Sequence, residues 1–247
     1  MARVLVPLPD HDFDVTEVSV PWKILRDAGH SVVFATESAG TKPEADPRLL
    51  SGVLFGKLGA EPEAIAFYRA LEASRELSET IAWSSIDPAR FDALLLPGGH
   101  APKMRQYLGS ETLQEKVATF WKTGKPVGAI CHGTIVLARS KDTTTGKSVL
   151  AAARTTCLPR YMERLAYSLT FWKLGRYYRT YDAYVEDEVR AALDDADAQF
   201  LRGPTTLGAR GTMDDDSAAF VVDDGRYVSA RWPGDAYAFA RLFLSKL

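Results

Sequence analysis

The feature that most constrains this chain is a recurring pattern: a short, wholly apolar run that breaks into a turn of small residues. Arg3 to Pro7 reads as a buried strand. From Val15, apolar residues recur at Val18, Trp22 and Leu25, a helical spacing that ends at Ala28-Gly29, and Ser31 to Ala35 reads as a second strand. A strand, helix and strand within about 30 residues is a parallel unit, because parallel neighbours need a covering crossover. Asp92 to Leu96 and Val127 to Ile130 repeat the pattern. Between them a helix is predicted, with Thr112 and Glu115 as a capping box and Leu113, Val117, Phe120 and Trp121 facing inward. The expected fold is α/β, a doubly wound, mostly parallel sheet in a single domain over 1–247.

Two stretches break the alternation. Thr36 to Ile86 is rich in Pro and Gly up to Pro62, then helical from Glu63 to about Leu77, and reads as an insertion on one sheet edge. Leu158 to Leu193 is helical without intervening strands. Both excursions are expected to flank the mouth of the site. Phe220 to Asp223 and Tyr227 to Ser229 flank Asp224-Gly225, a hairpin signal, and Pro233 opens a last helix.

Composition narrows the function classes. The 247 residues carry 30 Lys+Arg against 32 Asp+Glu, a net charge of −2, so a nucleic-acid binder working through a basic excess is not expected. No run approaches the ~18 apolar residues that span a bilayer, so no membrane partner is expected. Cys131 and Cys157 cannot build a disulfide scaffold, and the first residues read as a strand rather than a signal peptide. A reducing cytoplasm is therefore the expected location. Ser245-Lys246-Leu247 spells a peroxisomal address, although Tyr237, Ala240, Phe243 and Leu244 also make it the end of an amphipathic helix.

The chemistry concentrates in Val127-Gly128-Ala129-Ile130-Cys131-His132-Gly133. A residue that leaves a buried strand and enters a helix through a tight turn needs small neighbours two positions either side, and Ala129 and Gly133 supply them. This is a nucleophile elbow carrying Cys131, whose thiolate the helix N-terminus is expected to favour. Cys157 lacks such a context and reads as core. Leu96-Pro97-Gly98-Gly99-His100 is a second strand end, where Gly98, Gly99 and His100 are candidates for an oxyanion or substrate site beside the amide of His132. Glu17 lies at the mouth of the first strand, as a site carboxylate or as the far end of a capping box begun by Asp14. His11 and His30 read as loop residues, and no metal site is expected. Thr145-Gly146-Lys147-Ser148 lacks the earlier glycine of a phosphate loop, Lys141 standing there. The aromatic and basic run from Tyr167 to Tyr184 reads as subdomain packing, a pocket wall or a dimer contact.

Pro-Gly-Gly-His at residues 97–100, Ala-Ile-Cys-His-Gly at 129–133 and an early Thr16-Glu17 together resemble the ThiJ/PfpI superfamily, with its flavodoxin-like, class I glutamine amidotransferase-like fold. Within it, the Cys-His pair resembles the glyoxalase III and heat-shock chaperone branch, and also the intracellular protease branch. The resemblance implies Cys131 as nucleophile, His132 as proton shuttle, Glu17 bonded to the sulfur, and Glu163 as the acid that orients His132. Ala101 and Thr134 depart from that branch's usual glycine and proline. The implied function is a cofactor-independent cysteine enzyme acting on small reactive carbonyls, turning a 2-oxoaldehyde into a 2-hydroxy acid without glutathione. A cysteine peptidase or amidase, and a holdase chaperone or redox sensor, are the alternatives. A homodimer is also implied.

Overall fold

The computed structural model describes residues 1–53, 58–206 and 208–247. In chain order the elements are β1 (Arg3–Pro7), β2 (His11–Phe13), α1 (Val15–Asp27), β3 (Ser31–Thr36), β4 (Glu44–Ala45), α2 (Pro47–Ser51), α3 (Pro62–Glu72), α4 (Arg75–Ser78), β5 (Ile81–Ala82), β6 (Ala93–Leu96) and α5 (Arg105–Leu108). There follow α6 (Glu111–Lys122), β7 (Val127–Ile130), α7 (Gly133–Arg139), α8 (Arg160–Leu174), α9 (Val185–Ala191), α10 (Ala196–Gln199), β8 (Val221–Asp224), β9 (Tyr227–Ala230) and α11 (Ala236–Leu244). Seven strands form one sheet in the order β5-β3-β1-β6-β7-β9-β8, parallel except for the β8–β9 hairpin. β2 and β4 make a small parallel pair outside it.

The strand order explains where a site must lie. From β1 the chain crosses through α1 to β3 on one side, whereas from β6 it crosses through α6 to β7 on the other. Right-handed crossovers in opposite directions put α1 and α6 on opposite faces, and a crevice opens at the carboxyl ends of β1 and β6 where the direction switches. On the first face α1 packs against α3 and α11, and on the other α6 packs against α7. Fully buried β6 and β7 supply the apolar middle of the sheet, as their uninterrupted apolar sequence requires.

Several boundaries differ from expectation. The helix predicted over Glu63 to Leu77 is two helices, because Ser74 caps a second one by accepting from the Leu77 N–H at 3.4 Å. The residues after it return to the sheet as β5, pairing Ala35 with Ile81, so the insertion ends as the edge strand. Two residues are too few to show an alternating period. Thr112 and Glu115 do not form the cap of α6: Ser110 accepts from the Leu113 N–H at 3.2 Å and the helix starts at Glu111. Trp121 is half-buried rather than core, lying 5.4 Å from the Tyr227 ring with Arg226 over its face. No helix among the described residues is long and apolar enough to cross a membrane.

The corner between β9 and α11 is held by a buried ion pair. Arg231 Nε donates to Asp235 Oδ2 at 2.8 Å and a terminal nitrogen to Oδ1 at 2.9 Å, while the remaining one donates to the Pro204 carbonyl at 2.7 Å. Both side chains are 1% exposed. Asp235 also accepts from the backbone of Phe220 and Arg231, so one carboxylate ties the hairpin, the corner and the last helix together. Removing one member leaves the other buried and unpaired. Arg231→Met is expected to lower the unfolding free energy by about 3–5 kcal/mol in urea titrations; a loss under about 1 kcal/mol would show that the corner does not need the pair.

Candidate active site

Cys131 is where β7 stops. Its N–H still donates to the Ala230 carbonyl at 3.0 Å, but its φ is +58°, and α7 begins two residues later. A non-glycine residue in this region costs about 1–3 kcal/mol and persists only where packing enforces it. The enforcement is contact with the end of β6: a Cβ on Gly133 would lie 2.1 Å from the Leu96 carbonyl oxygen, and one on Gly98 would lie 2.7 Å from the His132 nitrogen. Both positions admit only glycine at this spacing.

The capping box weighed for Asp14 and Glu17 forms only in part. Asp14 caps α1 by accepting from the N–H groups of Thr16 and Glu17, but Glu17 does not turn back to complete a capping box. Its Oε2 accepts from the Gly98 N–H at 2.8 Å, and the carboxyl is within side-chain hydrogen-bonding reach of Cys131. Gly98 is thereby corrected as an oxyanion donor: its N–H is already given to Glu17. Burial, reinforced by the neighbouring Asp14 charge, pushes the Glu17 carboxyl well above the usual range.

The surroundings of Cys131 do not favour the expected thiolate. The residue is wholly buried, and that burial, together with Glu17 and Asp14, pushes the thiol well up. A helix N-terminus contributes about 0.3–1 kcal/mol at an exposed site, too little to offset removal of a thiolate from water.

His132 is 1% exposed, and burial with the nearby His100 and Arg139 holds its imidazole well below the usual range, so the ring is neutral. Its Nδ1 lies 3.5 Å from Cys131 Sγ and its Nε2 3.4 Å from Thr180 Oγ1. Thr180 has one hydroxyl proton, and this goes to the His100 carbonyl at 2.6 Å. Oγ1 is then left to accept, which assigns the proton of His132 to Nε2 and leaves the Nδ1 lone pair facing the sulfur. Thr180 is itself held through its carbonyl by Arg105 Nε at 2.5 Å.

Glu163 is not brought to His132. One of its oxygens accepts from the Val185 N–H at 3.1 Å and the other faces Arg179 at 3.7 Å, so it ties α8 to the start of α9. Burial raises its carboxyl to about 7. Thr180 occupies the place where an orienting acid was expected. A threonine in an irregular loop has no spacing that would have marked it in the sequence.

His100 closes the site from above, its ring 4.9 Å from that of His132 and 5.5 Å from that of Tyr178. Beyond it lies a cavity of about 160 Å³ walled by Leu49, Leu158, Met162, Leu165, Tyr178 and Trp232, with Asp14 and His100 among its polar residues. Leu49 comes from the 36–86 insertion and four of the others from 158–193, so both excursions line this cavity. Ala101 and Thr134 are buried away from its lining. Arg210, over the Trp232 ring at 5.2 Å, is the cation at the rim. Cys157 is buried core, and Gly146-Lys147 lies in a surface turn with Lys147 paired to Asp194.

A profile of the ThiJ/PfpI-like family matches residues 8–204, and the chain belongs to that family. A protein of Pyrococcus abyssi named as a deglycase is 26% identical over 99% of both chains. A Schizosaccharomyces pombe protein named "Probable glutathione-independent glyoxalase" is 25% identical over 94% of this chain and 88% of its own. Among solved structures, glyoxalase III from Candida albicans superposes with a TM-score of 0.71 at 20% identity, covering 100% of this chain and 97% of that one, which places the fold.

The raised carboxyl of Asp14, about 6 against an ordinary 3.8, has a stability consequence. The folded state binds this proton more tightly than the unfolded state, so the contribution is fully present below pH 3.8 and is lost as pH rises through about 6. Asp14→Asn keeps an acceptor for the cap and removes the titration. Between pH 4 and pH 7 the variant should gain roughly 1–3 kcal/mol relative to wild type in urea unfolding. Parallel pH profiles for the two proteins would show that Asp14 is not buried as a neutral acid.

Proposed function

We propose that this chain is a cofactor-independent cysteine enzyme that converts 2-oxoaldehydes into 2-hydroxy acids by adding water, without glutathione. The observation that carries the reading is the bare Nδ1 of a neutral His132 placed 3.5 Å from the sulfur of an elbow cysteine. In the step this supports, Cys131 Sγ bonds to the aldehyde carbon as its proton passes to His132 Nδ1, and His132 hands that proton on to the carbonyl oxygen, which gives a neutral hemithioacetal and frees Nδ1 again. His132 then carries the carbon-bound proton from C1 to C2 through an enediol. The product of that transfer is a 2-hydroxyacyl thioester on Cys131, and water hydrolyses it to the 2-hydroxy acid and the free thiol.

Each neighbour has a part in this reading. Glu17, kept protonated by burial, hydrogen-bonds the sulfur when it carries charge. The amides of Gly99 and His132 are the donors for the oxyanion, since that of Gly98 is used. Thr180 is a positioning residue that holds the tautomer of His132. The apolar cavity suits a small carbonyl compound better than a polypeptide, which weighs against the peptidase alternative. The glyoxalase and deglycase names of the relatives fit a thiol that attacks carbonyl carbon. Two unpaired, buried cysteines fit a reducing cytoplasm. A homodimer would cover apolar side chains that α8 leaves outside, Phe171 and Trp172 foremost.

Incubation with methylglyoxal and no added thiol should yield lactate, and Cys131→Ala should remove at least about 1,000-fold of the rate, the scale at which nucleophilic machinery acts. Lactate formation that survives in that variant would refute the assignment. Thr180→Val should lower kcat about tenfold or more with KM little changed, and by more than Glu163→Gln does. The reverse order would return the orienting role to the carboxylate.

A further inference from the structure

The ligand-capable atoms of His100, Cys131 and His132 all lie within 4.8 Å of one another. We propose that these three side chains form an inhibitory His2Cys site for a thiophilic divalent cation of the zinc type, which binds in place of substrate. Among the described residues they are the group of His, Cys and carboxylate side chains that converges this closely.

The geometry is already that of coordination on one edge. In a tetrahedral zinc site, with Zn–S about 2.3 Å and Zn–N about 2.0–2.1 Å, sulfur and nitrogen ligands sit about 3.6 Å apart. Cys131 Sγ and His132 Nδ1 are 3.5 Å apart. The third donor, on His100, lies within 4.8 Å of the other two and must close in by up to about 1.5 Å to reach the nitrogen–nitrogen spacing of the same tetrahedron. His100 is only partly buried and borders the cavity, so its ring is not locked on every side by packing.

The outer contacts also match a metal-binding imidazole. Thr180 Oγ1 takes the Nε2 proton of His132, which fixes the ring and presents Nδ1 as a lone pair, the arrangement that orients histidine ligands in metal sites. One thiolate and two neutral imidazoles select Zn2+ or Co2+ over Mg2+ and Ca2+, which require oxygen ligands. Three protein ligands leave the fourth position to a solvent molecule. Binding replaces the S–H bond with an S–metal bond and releases one proton to solvent. The sulfur pair that would attack a carbonyl is then engaged.

The test reads the metal rather than turnover, so it stands whether or not the chain acts on 2-oxoaldehydes. Co2+ added to the purified protein should produce the thiolate-to-cobalt charge-transfer band and the intense visible bands of a tetrahedral site. Zn2+ should then displace it at one ion per chain in calorimetry, with Mg2+ inert. Cys131→Ser should lose the charge-transfer band, and His100→Ala should bind Zn2+ at least about tenfold more weakly. Wild-type protein alkylated at Cys131, which retains the native sequence, should bind no cobalt. Absence of the band in wild type, binding that survives alkylation, or an unchanged affinity in His100→Ala would overturn the site.

Discussion

The contact on which the rest of the site depends is the closure between the end of β6 and the start of α7. Two neighbouring strands finish at the same height, and their continuations must pass each other with no room for a side chain. Gly133 meets the Leu96 carbonyl and Gly98 meets the His132 amide at distances that exclude a Cβ. That closeness fixes Cys131 in a left-handed conformation it would not otherwise hold. It also aims the Gly98 N–H at Glu17, which couples the helix after β1 to the elbow after β7. Three strand ends separated widely in sequence are thereby locked into one constellation.

Burial then sets the protonation states. Glu17, Cys131 and His132 are all withdrawn from water, and each is driven toward its neutral form. A site of neutral groups in contact stores no net charge. Desolvation outweighs what a seven-residue helix contributes, and pushes the Cys131 thiol up. His100 and Tyr178 stand between this group and the apolar cavity.

Hydrogen-bond accounting decides which group orients His132. A threonine whose proton is committed to a backbone carbonyl can only accept from His132, and it adds no charge to the site. Glu163, the residue implied by likeness to other family members, instead stitches α8 to α9. The two helices still matter to the site, because the loop between them delivers Tyr178 and Thr180.

Much of this was legible in the sequence. Apolar runs ending in small residues defined β1, β3, β6 and β7, because a strand buried on both faces has no choice but to be apolar throughout. The small-x-Cys-x-Gly spacing placed the elbow at Cys131, since a turn between sheet and helix admits nothing larger at its flanks. Other features had no local signature. β5 is too short to show a period, the Ser110 cap lies just outside the box suggested by Thr112, and the choice of Thr180 over Glu163 rests on where a loop far along the chain returns. Local sequence dictates backbone states and burial one segment at a time. Which side chains meet across segments, and hence which proton sits on which atom, is fixed only when the strand ends and the two excursions pack together.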